Sequence, residues 1–545
     1  GIDVVNATTG AHTTNLTITS ANGANSNNKF YNNLIQKCNY GISILGYADV
    51  SPFNNADNNN DIGGSSAATS NTIVNFGGGG TVASSAVRTL AQYNLNVSYN
   101  SINNNTGSNT NHTGALRGIY VNSATSANVT INNNTITVKG GGTTTQLSAI
   151  ENLSGATAAN NTITINNNQI VNCTYTTATS GVWYGIYNNG ASAANLSING
   201  NTFNNNSTNA TSGSYYNIYN TGAVTNSITI TSNTISAVTF SAASTSLTNY
   251  NIIYTGSSAS AIVNINNNTL SGISYVGATG GTGAWAGIYC NASTSVSTIQ
   301  GNLLNNLSIK TTGVIYLIYH SQSSQNVSVN SNSIVTAFAR TAAGSSATYF
   351  YYNLSGSPTN PSFNFFNNNF SNYNNGTNTG ALYMLYTYYG ALTTNIYGNV
   401  CSNITASSGT SSMYMIYGPY YSATNNIYNN TWSNITYGTG NIYMMYFYNY
   451  YGTASNIYGN TWNNIVSSGT NYGIYYYYPG GITTGGVFNF YRNKISDVTT
   501  NGTSTSLYGM YILGYYAGQT VNIYNNVIGN LYAPSSINSQ AISGM

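Results

Sequence analysis

The sequence predicts an all-β chain wound as a single right-handed parallel β-helix, a solenoid of about 16 coils at roughly 33 residues per coil. Three observations predict it. One segment recurs almost unchanged as NIYGNVCSNIT (395–405), NIYNNTWSNIT (426–436) and NIYGNTWNNIV (456–466), about 30 residues apart, which is a solenoid period. Apolar residues in each copy are separated by polar ones at short, strand-like intervals. Gly, Asn and β-branched residues are too dense for helix and suit strands broken by turns. The right hand follows from the general preference of parallel crossovers.

Residues 1–26 read as an N-terminal strand and entry segment. The repeating frame then recurs on sixteen anchors: Asn33, Asn71, Asn100, Asn134, Asn168, Asn201, Asn233, Asn268, Asn302, Asn332, Asn368, Asn399, Asn430, Asn460, Asn493 and Asn526. An apolar residue stands three before the anchor, as at Ile165, Ile198 and Ile427; others stand two after, as at Phe203 and Trp432, and five after, as at Ile435. A second strand lies about midway round, as YGIY (184–187), YLIY (316–319), YMIY (414–417) and YGIY (472–475). Loops such as SSGTN (467–471) supply turn chemistry, and their varying length explains the uneven period. Residues 27–340 form Asn/Thr-rich coils, and 341–545 continue the helix as Tyr-rich coils, since 33 of 51 tyrosines stand at or beyond Tyr349.

Equivalent residues of a solenoid stack at about 4.8 Å, so the anchors from Asn134 to Asn526 are expected to form a column in which each amide bonds the next. The bend there is assigned to the anchor itself, because Asn tolerates left-handed dihedrals. Tyrosines that follow the second strand are expected to stack as a ribbon and to form a candidate binding surface: Tyr388, Tyr389, Tyr420, Tyr421, Tyr448, Tyr450, Tyr451, Tyr477, Tyr478, Tyr515 and Tyr516. The plainer reading places most of them in the core and its loops.

Charge excludes several function classes. Only 3% of residues are charged, and the nine Lys and Arg are scattered, so no stripe for nucleic acid exists. So little charge favours association of the chain with itself. The 41% hydrophobic content excludes disorder, and no apolar run suits a membrane helix, so membrane insertion is not expected. The chain opens on Gly1 without a signal-like segment and reads as a processed product or a fragment. Cys38, Cys173, Cys290 and Cys401 are expected as four separate buried thiols.

Acid–base chemistry needs groups that converge in a cleft. Here the acids are Asp3, Asp49, Asp57, Asp61, Glu151 and Asp497, and His12, His112 and His320 fall on separate coils. No catalytic residue and no cofactor are expected. The weak metal candidate is Asp49, Asp57 and Asp61 in ADVSPFNNADNNND (48–61), whose oxygens suit Ca²⁺, against the plainer reading of a solvated loop.

The Asn-x-Ile frame resembles the right-handed parallel β-helix repeat family, the pectate-lyase-like solenoids, over nearly the whole chain. Rungs such as NNTITINNNQI (160–170) and YGIYNNG (184–190) resemble repetitive secreted surface proteins of gliding and biofilm-forming bacteria, many of them exported by type IX secretion. The resemblance implies an extracellular, cell-surface location. Lyases and hydrolases of that fold use clustered Asp, Lys and Arg, and this sequence has no such cluster. The expected function is therefore a non-enzymatic structural or adhesive rod or filament component that associates with itself, head-to-tail or laterally. The alternative is recognition of polysaccharide or cell-surface matrix through the tyrosine ribbon. Ice binding, suggested by TNLTIT (14–19) and SITITS (227–232), ranks last.

Overall fold

A computed structural model describes the chain apart from residues 9–15, 107–111, 125–126, 156–160, 191–193, 256–259, 278, 292, 321–323, 355–358, 389, 419–421, 449–451, 478–484 and 514–517, and apart from the side chains of 244–245. The protein is an all-β parallel solenoid of about 14 turns at ~33 residues each. Sixteen anchors close fewer turns, because a turn spans one anchor to the next and the end frames carry short strands. The first leads with a two-residue strand, Lys29–Phe30, and the last closes on another, Ile542–Ser543. The chain forms two compact units, Gly1–Asn264 with Ile273–Ala278, and Ile265–Gly272 with Thr279–Met545.

In the first unit a coil runs through a leading strand Thr162–Asn166, trailing strands Gln169–Val171 and Thr174–Tyr175, and a third strand Trp183–Asn188. Each pairs in parallel with its copy one coil on, so that Ile165 meets Ile198, Ile170 meets Phe203 and Ile186 meets Ile218. These columns are the core, and all six side chains are fully buried. In the second unit the trailing strands fuse into seven-residue strands, Val400–Ala406, Thr431–Tyr437 and Thr461–Ser467. Trp432 and Trp462 stack inside at 5.3 Å. Burying one such Ile or aromatic residue contributes about 1.5 to 3 kcal/mol, and every coil supplies several.

The anchors form the expected amide column. Asn134 donates from Nδ2 to Asn168 Oδ1 at 2.9 Å and to the Val97 carbonyl at 2.8 Å, while its Oδ1 accepts from the backbone N–H and Nδ2 of Asn100. Every donor and acceptor of that amide is thus satisfied inside a dry core. The pattern repeats from Asn71 to Asn233 in the first unit and from Asn268 to Asn526 in the second. The left-handed residue, however, is the one before the anchor: Asn133, Asn167, Asn367 and Asn429 have φ between 53 and 57°. The anchor stays outside that region, because its side chain must point inward along the strand pleat.

All four cysteines are free, and Cys173, Cys290 and Cys401 are buried as expected, but Cys38 is only half-buried. Burial pushes the Cys173 thiol up to about 12.

Two further core groups carry charge chemistry. Arg340 is buried, and its guanidinium donates to the carbonyls of Thr311, Gly313 and Ser346 and to the Thr348 hydroxyl. His320 is fully buried, with Nδ1 3.0 Å from the Tyr351 hydroxyl, and burial lowers its pKa to about 4 from 6.5. The unfolded chain therefore binds a proton between those values that the folded chain refuses. Stability is present above pH 6.5 and is lost as pH falls toward 4, by about 3 kcal/mol at about 1.4 kcal/mol per pH unit. Urea titrations of the wild type and of His320→Asn should show this acid loss in the wild type and a flatter profile in the variant; equal profiles would refute the assignment.

Candidate functional site

The third strand of most coils reads buried–half-buried–buried–buried–half-buried–buried, as in Ile315–His320 and Met413–Gly418. Two residues spaced by three would point to opposite faces of a regular strand. Here the middle residue is skipped by the pairing: Tyr414 pairs with Tyr383 and Tyr417 with Tyr386, while Met415 has no register partner. One extra residue in every copy turns both tyrosines outward, in the manner of a stacked bulge.

In the second unit this makes two columns. Tyr349, Tyr383, Tyr414, Tyr443, Tyr472 and Tyr508 follow one another at ring-centroid distances of 4.7, 4.9, 5.0, 4.8 and 5.1 Å, with planes within 10°. Tyr352, Tyr386, Tyr417, Tyr446, Tyr475 and Tyr511 follow one another at 5.1, 4.8, 5.2, 5.2 and 5.0 Å, with planes within 15°. Between columns the rings cross at 69 to 89°. The face is a herringbone, and each interior ring is stacked on both sides and met edge-on from the side, the geometry aromatic quadrupoles prefer.

The leading strands carry a third column, Phe366, Tyr397, Tyr428, Tyr458, Tyr491 and Tyr524, with successive planes within 6°. Beside it runs an outer amide column in which Asn395, Asn426, Asn456, Asn489 and Asn522 each donate to the Asn one coil before, at 2.8 to 3.0 Å. The first unit has shorter versions. Tyr187 stacks on Tyr219, and in register with Tyr187 stands Glu151, paired to Arg117 at 2.5 Å, whose guanidinium lies over Tyr120.

Partial burial among neighbouring phenols holds the hydroxyls protonated. Desolvation first, then the charge of adjacent phenols, pushes Tyr352, Tyr386, Tyr417, Tyr446, Tyr472 and Tyr475 up to about 12. Near neutrality these faces are uncharged.

Of the tyrosines expected to form the ribbon, Tyr389, Tyr420, Tyr421, Tyr450, Tyr451, Tyr478, Tyr515 and Tyr516 lie outside the described residues. Tyr448 and Tyr477 stack at 5.5 Å. Tyr388 and Tyr448 line a cleft of about 200 Å³ with Tyr417, Gly418 and Tyr446. The larger aromatic surface is formed by the strand tyrosines themselves.

The three aspartates of the calcium candidate do not converge. Asp57 is buried and accepts from Asn6 Nδ2, the Asn25 N–H and Gln92 Nε2. Asp61 accepts from Asn96 Nδ2, the Gly64 N–H and the Tyr31 hydroxyl. Asp49 accepts from the Asn55 N–H. Among the described residues no three His, Cys, Asp or Glu side chains group to hold a metal ion, and no helix is long and apolar enough to cross a membrane. Compared with protein-family models, curated proteins and solved structures, the chain matches none.

Proposed function

We propose that the protein is a non-enzymatic extracellular rod whose tyrosine faces bind laterally to copies of itself and to other surfaces. The observation that carries this reading is the herringbone. Sugar recognition by aromatic residues needs an open ring face, and here interior rings have both faces covered by the coils above and below. What the face presents is rows of ring edges and hydroxyls at coil spacing, uncharged and stiff. Such a surface loses little conformational entropy on contact and offers no charge to repel a second copy. The internal bonding of Asp57, Asp61, Glu151, His320 and Arg340 also supports a structural rather than catalytic role.

Sedimentation and electron microscopy at rising concentration test it. Wild type is expected to associate side by side, and Tyr443→Lys with Tyr446→Lys is expected to weaken association at least about tenfold, since like charges then face each other across the contact. Rods that remain single at every concentration, with their melting unchanged in the variant, would sink the self-association reading.

A further inference from the structure

The first unit contains a groove of about 550 Å³, remote in sequence from the tyrosine herringbone of the second unit. We propose that it binds a neutral glycan chain. One wall is aromatic: Phe53 packs on Tyr93 at 5.4 Å. Phe53 sits at φ 64°, a left-handed conformation that bulky residues rarely adopt and that proteins retain mainly where function needs it. A turn holds it there, with the Phe53 N–H on the Val50 carbonyl and the Asn55 N–H on the Asp49 carboxylate. Asp49 thus positions the aromatic wall.

The lining also holds a row of amides. Asn128 donates to Asn94, and Asn94 donates to Asn58, each at 2.8 Å, so three successive coils present one line of carboxamides along the groove. Among the described residues the Nδ2 of Asn58 and the Nδ2 of Asn27 have no protein partner, which leaves donors directed to a ligand or to water.

Three features select the ligand class. No charged side chain lines the groove, and Asp57 turns its carboxylate inward, so nothing there attracts a charged polymer. Backbone groups along the groove are taken up by neighbouring segments, with the Asn27 N–H on the Asn58 carbonyl, the Asn59 N–H on the Tyr93 carbonyl and the Leu95 N–H on the Asn128 carbonyl, so a peptide finds few free groups for strand pairing. Carboxamides repeated at coil spacing beside an aromatic ring instead suit a chain of repeated hydroxyl-bearing rings, with hydrogen bonds to the hydroxyls and one sugar face against Phe53.

The test is calorimetric titration of the full chain with soluble neutral hexasaccharides of the gluco-, xylo- and manno- series, and with hexagalacturonate as the anionic probe. At least one neutral series is expected to bind, tighter as the oligosaccharide lengthens, and hexagalacturonate is expected not to. Phe53→Ala and Asn58→Ala are each expected to weaken binding at least about tenfold with unchanged melting, while Tyr388→Ala leaves it intact. Three outcomes overturn the proposal: no neutral hexasaccharide bound at millimolar concentration, binding indifferent to Phe53 and Asn58, or equal binding of hexagalacturonate. None of these bears on lateral association through the tyrosine faces, which is read from sedimentation.

Discussion

Replacing Asn430 by alanine is expected to cost the second unit about 4 kcal/mol of stability, far beyond the effect of deleting a surface amide. Its Oδ1 accepts from the Asn399 N–H at 3.0 Å and from Asn399 Nδ2 at 2.8 Å, and its Nδ2 donates to Ile396 O and Asn460 Oδ1, both at 2.9 Å. Alanine removes the partner of a buried backbone N–H and of a buried carbonyl while leaving both in a dry column, and each orphaned group costs about 1 to 3 kcal/mol. Asn430→Asp discriminates this account from simple loss of packing. It keeps the volume and the acceptor but removes both donors and buries a charge, so at pH 7 it should be less stable than the alanine variant. Burial raises the pKa of that carboxyl, so its stability returns as pH falls and the carboxyl gains a proton it can donate. Urea unfolding at two pH values measures the order, and hydrogen exchange locates the damage. Because coils touch only their neighbours, faster exchange should be confined to coils near Asn399 and Asn460. An alanine variant within about 1 kcal/mol of wild type would mean that water replaces the amide and that the column contributes little.

The column was legible in the sequence because one residue type recurs at one place in every coil, usually flanked by apolar residues at fixed offsets. Its left-handed bend was misplaced by one residue for a physical reason: in NNN runs such as 166–168, Asn occupies both the bending and the inward position, and composition alone does not separate them. The tyrosine faces were legible in part. YMIY and YGIY mark the third strand, but regular alternation puts Tyr414 and Tyr417 on opposite sides, so the pattern alone does not reveal their shared outer face. The signal that resolves it is the residue between the two tyrosines that the pairing skips, as at Gly185, Met384, Met415 and Gly473. The groove in the first unit was not legible. Phe53, Asn58, Asn94 and Asn128 come from a loop and three coils, and only the register brings them together.

Alkali should unfold the second unit in one cooperative step between about pH 10 and pH 12, because the herringbone cannot accept phenolates. Six of its hydroxyls are pushed up to about 12 from 10.0. Below pH 10 both folded and unfolded chains keep these protons, so stability is complete. Above it the unfolded chain ionises and the folded chain does not, so stability is lost as pH rises toward the folded values. Each phenol is roughly half exposed, and solvent screening holds its contribution to about 1 kcal/mol, yet six acting together remove about 6 kcal/mol, a large share of a typical folding free energy. Phenolate absorbance and far-ultraviolet circular dichroism followed together should therefore change at the same pH, steeply. Tyr386→Phe with Tyr417→Phe keeps the stacking and removes two ionising groups, and is expected to move the transition to higher pH; replacement of the same pair by Ala opens the stack and should move it lower. Gradual ionisation near pH 10 with the β signal intact would show that the columns admit water freely, and would remove the stiffness on which the adhesive reading depends.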